Sequence, residues 1–196
     1  MPKVSDAYRE ARRDEIARAA MRRLGAQGFG RTTMADIIEE SGMSAGAIYS
    51  HFAGKAEIVQ HVARLTVGIK APELIALARS AQPPMSPTAI ISFVLEAAKE
   101  VGIPPTLLLQ VWAEATVDPG LRAIVDQTVE TLRAAYGAAI EPWLRSTGRS
   151  TDAASVRSLV DAMVMVSQGY VVHSALFGLG DPAAYLSGVA ELLHDR

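Results

Sequence analysis

The side chains in this chain best suited to chemistry lie close together. Tyr49, Ser50 and His51 are consecutive, and Lys55 follows four residues later. A tyrosine on an exposed helix face packs on a sugar or a thymine methyl and bonds a phosphate. Serine and histidine can bond base edges. Lys55 falls in the first turn of a helix, where a cation opposes the helix dipole at a cost of about a few tenths of a kcal/mol. A phosphate bound there reverses the sign, since the lysine and the free amides then both face an anion. Arg9, Arg12 and Arg13 precede or open the first helix and can reach the backbone of an adjacent groove. This is binding chemistry aimed at a polyanion.

Catalytic arrangements are missing on the same inspection. There is no cysteine, which excludes disulfides and thiolate metal sites. The histidines, His51, His61, His173 and His194, show no close ligand spacing. Glu57 and His61 share a helix face without a third ligand, the pattern of a surface pair. Gly28-Phe29-Gly30 lacks the third glycine and preceding strand of a dinucleotide fingerprint. No serine sits in a nucleophile-elbow sequence. No enzyme activity, metal or cofactor is expected.

The chain has 196 residues, 49% of them apolar, and a net charge of −2. Residues 1–64 hold ten Lys/Arg against eight Asp/Glu, and the remainder nine against thirteen. A mildly basic head on an acidic body is a weak footprint of nucleic-acid binding. The N-terminus carries no apolar run of a signal peptide. The longest uncharged stretch, 162–180, is interrupted by Ser167, Gln168, Gly169, His173 and Ser174, and reads as a buried helix. A soluble, cytoplasmic protein without membrane contact is expected.

Positioning these groups requires helices, and helical periodicity with clear stops runs throughout. The pattern gives about nine helices, near 10–27, 34–41, 45–52, from Lys55 past Leu65, 87–101, 105–116, 119–145, 152–178 and 182–194. Pro72 must end or kink the fourth. Thr33 with Asp36 forms a capping box, and Gly42 favours a left-handed reversal. Met43 plugs the turn, and Ser44 caps the third helix. Ile48 and Phe52 face its core, leaving Ala45, Gly46, Ala47, Tyr49, Ser50 and His51 outside. The layout is a helix-turn-helix. The expected fold is all-α: a three-helix DNA-binding domain at 1–54 and a helical regulatory and dimerisation domain at 55–196.

From about Arg12 to Val59 the chain resembles the TetR family of bacterial transcriptional regulators. The matching residues are Gly28-Phe29, Thr32-Thr33, Asp36-Ile37, Ser41-Gly42-Met43-Ser44, Gly46, Ile48-Tyr49, His51-Phe52 and Lys55. The resemblance implies a homodimer on a palindromic operator and a helical C-terminal domain that binds a small inducer and dimerises through its last two helices. It implies phosphate contacts at Thr33, Tyr49 and Lys55, and base-proximal positions at Ala45, Gly46, Ala47, Ser50 and His51, with Arg12, Arg13 and Ser44 beside them. Two positions depart from the family pattern. Ala45 stands where many members carry a lysine or other polar residue, and Ile38 where a small alanine is usual. Since Ala45, Gly46 and Ala47 cannot bond base edges through side chains, DNA shape and methyl contacts are expected to carry much of the specificity.

The helix at 152–178 is apolar nearly all round, so each face must be buried against something. Val160, Val164, Val171 and Ala175, with Leu186, Val189 and Leu193 of the last helix, are the expected dimer interface. Phe93, Trp112, Met163, Gln168, Tyr170 and His173 are large, adaptable or polar groups within apolar helices, and are the candidate ligand contacts. The combined expectation is a repressor released from its operator by a small apolar or amphipathic inducer. In that reading the ligand shifts the fourth helix, with Pro72 localising the bend. The alternative is a helical small-molecule-binding or carrier protein without specific DNA binding.

Overall fold

Prolines and short polar caps set where the helices begin. Pro87, Pro105, Pro119 and Pro182 each open a helix, at the position where the missing amide would have no partner anyway. Ser86, Asp118 and Asp152 precede three of the helices and accept hydrogen bonds from their first-turn amides. The computed structural model describes residues 6–194, with side chains through residue 190. Among the described residues there are ten α-helices, one π-helical segment and no strand. They are α1 (Asp6–Gln27), α2 (Met34–Ser41), α3 (Ala45–Tyr49), α4 (Lys55–Ala63), α5 (Ile69–Ser80), α6 (Pro87–Val101), α7 (Pro105–Glu114), α8 (Pro119–Ser146), α9 (Ala153–Phe177) and α10 (Pro182–His194).

The expected fourth helix is two α-helices joined through a π turn, Arg64–Gly68, and it neither stops nor breaks at Pro72. The irregularity lies upstream of the proline. Pro72 has no amide for the carbonyl four residues back, and its ring crowds that carbonyl. The carbonyl belongs to Gly68, the residue on which the widened π turn ends. The helix therefore changes register before the proline and continues through it to Ser80.

Two apolar clusters fill the interior. One gathers Ile16, Leu24, Phe29, Ile37, Ile48 and Phe52 of the N-terminal helices. It extends without a break to Ile58 and Val62 of α4 and to Leu107, Val111 and Leu121 beyond them. The expected boundary after residue 54 lies in the connection between α3 and α4, and the apolar packing runs across it. The other cluster is built on Leu74, Ile90, Ile91, Tyr136, Ile140, Trp143, Met163 and Val164. Each such side chain contributes about 1.5–3 kcal/mol on burial.

Only one side of α9 belongs to this second cluster. Val160, Met163, Val164, Tyr170 and Val171 point inward, as does Leu186 of α10. Met165, Leu176 and Phe177 face outward at 63%, 60% and 74% exposure. This corrects the expected interface: Val160, Val164, Val171 and Leu186 are already buried within one chain and cannot meet a partner. Ala175 and Val189 are half-buried, and the Leu193 side chain lies outside the described residues. Periodicity cannot tell the two sides apart, because both are apolar and adjacent positions differ by only about 100°.

Gly169 lets α10 approach α9 closely: a Cβ there would sit 2.7 Å from the Tyr185 hydroxyl oxygen. Deeper in, the fully buried Tyr136 lies 2.8 Å from Ser167 Oγ. The Ser167 hydroxyl donates to the Met163 carbonyl at 2.9 Å, so Tyr136 must be the donor of the pair. Burial pushes the Tyr136 phenol well above its ordinary value and keeps it protonated. Ser167→Ala strands a buried hydroxyl and is expected to cost about 1–3 kcal/mol, whereas Tyr136→Phe removes only one bond, at about 1 kcal/mol. Denaturant unfolding of the two variants checks the order, and a larger loss for Tyr136→Phe would contradict it.

Candidate nucleic-acid interface

The interface begins with two helix starts that the sequence encodes locally. The Thr33 hydroxyl oxygen accepts from the Asp36 amide at 3.2 Å, and Asp36 Oδ2 accepts from the Thr33 amide at 2.7 Å. This is the expected capping box. Gly42 ends α2 at φ +66, the left-handed conformation that glycine adopts without strain. Ser44 Oγ then accepts from the Ala47 amide and starts α3. Ile48 and Phe52 are fully buried, which fixes the rotation of α3. Ala45, Gly46, Ala47, Tyr49 and Ser50 consequently point outward, Tyr49 at 53% exposure, with His51 half-buried at the edge.

Regular helix stops at Tyr49, three residues short of expectation. The Ser50 hydroxyl donates to the Ala47 carbonyl at 2.6 Å, a local bond that competes with the helical ladder. His51 and Phe52 continue as a turn, both amides bonding the Ile48 carbonyl.

The cations expected at DNA divide into two groups. Arg12 is on the surface, paired with Glu15 and placed beside the Tyr8 ring. Arg13 is instead an internal strut: its Nη1 donates to the His51 carbonyl at 2.7 Å, and its guanidinium lies 4.3 Å over the Phe52 ring. It ties α1 to the end of α3, so its expected place on the DNA-facing surface is corrected. Lys55 Nζ donates to the Phe29 carbonyl at 2.8 Å and lies 4.6 Å from the Phe29 ring centroid. Those contacts account for a cation at a helix start within the protein itself.

The Phe29 amide is held from the other side, donating to Gln110 Oε1 of α7 at 2.6 Å. Gly28 makes this approach feasible, since an added Cβ would lie 3.0 Å from the same oxygen, at φ +91. Sequence reading missed Gln110, and no local signal marks a partner 81 residues away. It also misplaced His61. The ring is buried and its Nε2 lies 2.7 Å from Asp14 Oδ1 of α1. Glu57 instead accepts from the Ala53 amide. Glu10, Asp14 and His61 bring ligand-type atoms within 4.8 Å of one another. Glu10 is bonded to Arg64 and Asp14 to His61, and the group reads as a polar strut from α1 to α4 and the π turn.

Residues 16–62 match the model of the bacterial regulatory proteins of the tetR family. The N-terminal domain is that of the TetR family. It is 52% identical over 48 residues to the HTH-type transcriptional regulator TtgR of Pseudomonas putida, covering 24% of this chain and 23% of that one. It is 38% identical over 61 residues to the uncharacterised HTH-type transcriptional regulator YfiR of Bacillus subtilis, 31% and 30% of the two lengths. The chain thus matches less than a third of either curated relative. The fold likeness extends further. A TetR transcription regulator from Haloarcula marismortui superimposes with a TM-score of 0.69 over 93% of this chain and 96% of that one, at 17% identity.

Behind the TetR-family domain lies an apolar cavity of about 170 Å³. Met21 and Leu24 of α1 form one wall, Val59 and Val62 of α4 another, and α6 to α9 close the rest. Of the candidate ligand contacts, Trp112 and Gln168 line it. The other four do not. Met163 is fully buried in the second core, His173 is exposed beside Phe177, Phe93 lines a groove on the far side of α6, and Tyr170 lines a neighbouring cleft. Their composition suits a pocket, but the rotation of α6 and α9 directs them elsewhere.

Two outcomes test this geometry. Arg13→Ala should lower the stability of the TetR-family domain by roughly 1–2 kcal/mol, through the lost cation–π contact and hydrogen bond. Arg12→Ala should change it by less than about 0.5 kcal/mol. Equal effects in thermal unfolding would contradict the assignment. The Asp36 carboxyl is held below its ordinary value, first by the Thr33 hydroxyl, then by the Thr33 amide, with Arg23 contributing less. Its stabilisation is therefore present above about pH 4 and lost as pH falls through the lowered folded value. Asp36→Asn should flatten the acid limb of stability against pH.

Proposed function

We propose that the protein is a homodimeric repressor that leaves a palindromic operator when a small apolar or amphipathic molecule enters the cavity. The observation that carries this reading is the shared wall: Met21 and Leu24 belong both to the cavity and to the DNA-binding domain's own helix α1. An occupant cannot displace α4 or α7 without loading the bonds from Lys55 and Gln110 to Phe29. The π turn at Arg64–Gly68, rather than Pro72, is the irregular point of the connecting rod, and Thr66 within it lines the cavity. Such π turns recur at functional sites.

A second copy is the natural cover for the outward face of α9, where Met165, Leu176 and Phe177 lie exposed. Binding to a two-fold operator would require the paired recognition helices to stand about 34 Å apart, one turn of duplex. Tyr49 supplies a free aromatic face and hydroxyl, and Lys55 keeps two of its three donors. Ser44 can still donate its proton, while the Thr33 hydroxyl is committed to Asp36 and serves by starting α2. The small exposed residues Ala45, Gly46 and Ala47 allow close approach to the groove, where shape and methyl contacts are read. We infer a cytoplasmic location, where a bacterial-type regulator meets its DNA.

Gly46 provides the discriminating test. An added Cβ meets no atom within 4 Å, so nothing in the chain requires glycine there. Gly46→Ala should therefore raise helix stability by about 0.5–1 kcal/mol yet weaken operator binding by about 1–3 kcal/mol. Fluorescence anisotropy on duplexes selected from a random pool measures the affinity, which should fall steeply with salt. Base-by-base substitution should give broad, shallow losses, and several positions above about 3 kcal/mol would oppose shape readout. Ligand binding with no salt-sensitive DNA affinity would instead identify a carrier.

A further inference from the structure

The cavity behind α1 and α4 has a lining of one chemical character. Among the described residues, no Asp, Glu, Lys, Arg or His side chain borders it. Its three hydroxyls already donate to helix carbonyls: Thr66 to Val62 and Ala63, Thr128 to Ile124, and Ser167 to Met163. Ser167 also accepts the Tyr136 proton. None of the three has a proton left for a guest. Two polar side chains remain, Trp112 of α7 and Gln168 of α9, and neither has a hydrogen-bond partner among the described residues. Neither is sealed off by protein. The side-chain polar atoms that are both shielded and unpaired among those residues are Arg23 Nε and Ser174 Oγ. The Gln168 amide and the Trp112 indole N–H therefore stay reachable. Both residues border this cavity, and neither borders the two grooves beside α6.

Charge decides first what can occupy such a space. An ion moved there from water would lose its hydration and find no counter-ion, a cost that favours the neutral form. A molecule with many donors and acceptors fares little better, because one amide and one N–H cannot answer them all. Volume decides next. The cavity holds about 170 Å³. An apolar cavity of about 150 Å³ takes benzene, whereas drug-sized sites begin at roughly 300 Å³. Close packing of the surrounding helices resists enlargement.

We infer that the effector is an uncharged molecule the size of one substituted ring, with a single hydroxyl or carbonyl that meets the Gln168 amide. The rest of its surface lies against apolar side chains. This inference rests on the cavity of the proposed repressor as the ligand site, and it adds the ligand's charge, its size and its number of polar groups.

Titration calorimetry on the full chain near neutral pH tests the assignment with 4-methylphenol, toluene, 4-phenylphenol, benzoate and benzylammonium. 4-Methylphenol is expected to bind tightest, and toluene about fivefold more weakly for want of one hydrogen bond. The two ions and the two-ring phenol should each bind more weakly than 4-methylphenol by about tenfold or more. Gln168→Leu should weaken 4-methylphenol about fivefold and leave toluene within about twofold. Val129→Phe, with its helicity and melting checked by circular dichroism, should abolish binding of both by filling the cavity. The inference is overturned if toluene, either ion or 4-phenylphenol matches 4-methylphenol on the unaltered protein. It is equally overturned if Gln168→Leu leaves 4-methylphenol unchanged, if folded Val129→Phe still binds it, or if no ring compound binds. Release from the selected duplex, measured in parallel, separates this inference from the repressor reading. 4-Methylphenol bound without release upholds the ligand class and removes the repressor mechanism. Release by benzoate or benzylammonium alone does the reverse.

Discussion

The backbone of Phe29 is held on both sides by groups that the N-terminal three-helix unit does not supply. Gln110 of α7 takes its amide, Lys55 of α4 bonds its carbonyl, and the ring beneath is buried. The bond from the Lys55 ammonium is of the stronger, charge-assisted kind, and the neutral Gln110 bond holds the loop from the other side. They place the end of α1, and through it the start of α2, in register with the body. Gly28 is adapted to the same contact, since its positive φ and the nearness of Gln110 each disfavour a side chain. The orientation of the DNA-binding unit on the body depends on this clamp.

The clamp is effective because the apolar packing behind it is continuous. Ile58 and Val62 lie in one cluster with Ile16, Ile37, Ile48 and Phe52, and Leu107 and Val111 close it from the body side. Polar struts run parallel to that packing, with His61 on Asp14 and Arg13 on the His51 carbonyl. A densely packed interior transmits displacement rather than absorbing it. The cavity is an interruption in this packing, and it lies where α1, α4 and α7 meet. Binding there and orientation of α3 are therefore mechanically linked by shared side chains.

The exposed surfaces follow a different logic. α3 shows small residues and one large aromatic to solvent, a surface with little of its own to bury and much to lay against a groove. The outward face of α9 shows Met165, Leu176 and Phe177, a surface that favours removal from water. One chain folds a complete interior and leaves two faces that differ in the chemistry of what should cover them.

Much of this was legible in the residues. Caps, reversals and helix starts depend on contacts within about four positions, so Thr33 with Asp36, Gly42, Ser44 and the helix-opening prolines could be read directly. Ile48 and Phe52 were legible too, because one turn of helix brings them to the same face. The roles of Arg13, Lys55 and His61 were not, since each is set by a partner on another element. Gln110 left no trace at all. The apolar pattern of α9 located a helix that needs burial, but Val160 and Val164 went inward and Met165 outward by a rotation that only α6, α7, α8 and α10 impose. Sequence alone determined the elements and the helix-turn-helix, through local bonding and periodicity. Tertiary structure decided which face of each helix is interior, which cations are struts and where the cavity lies, because those follow from packing between residues far apart in the chain.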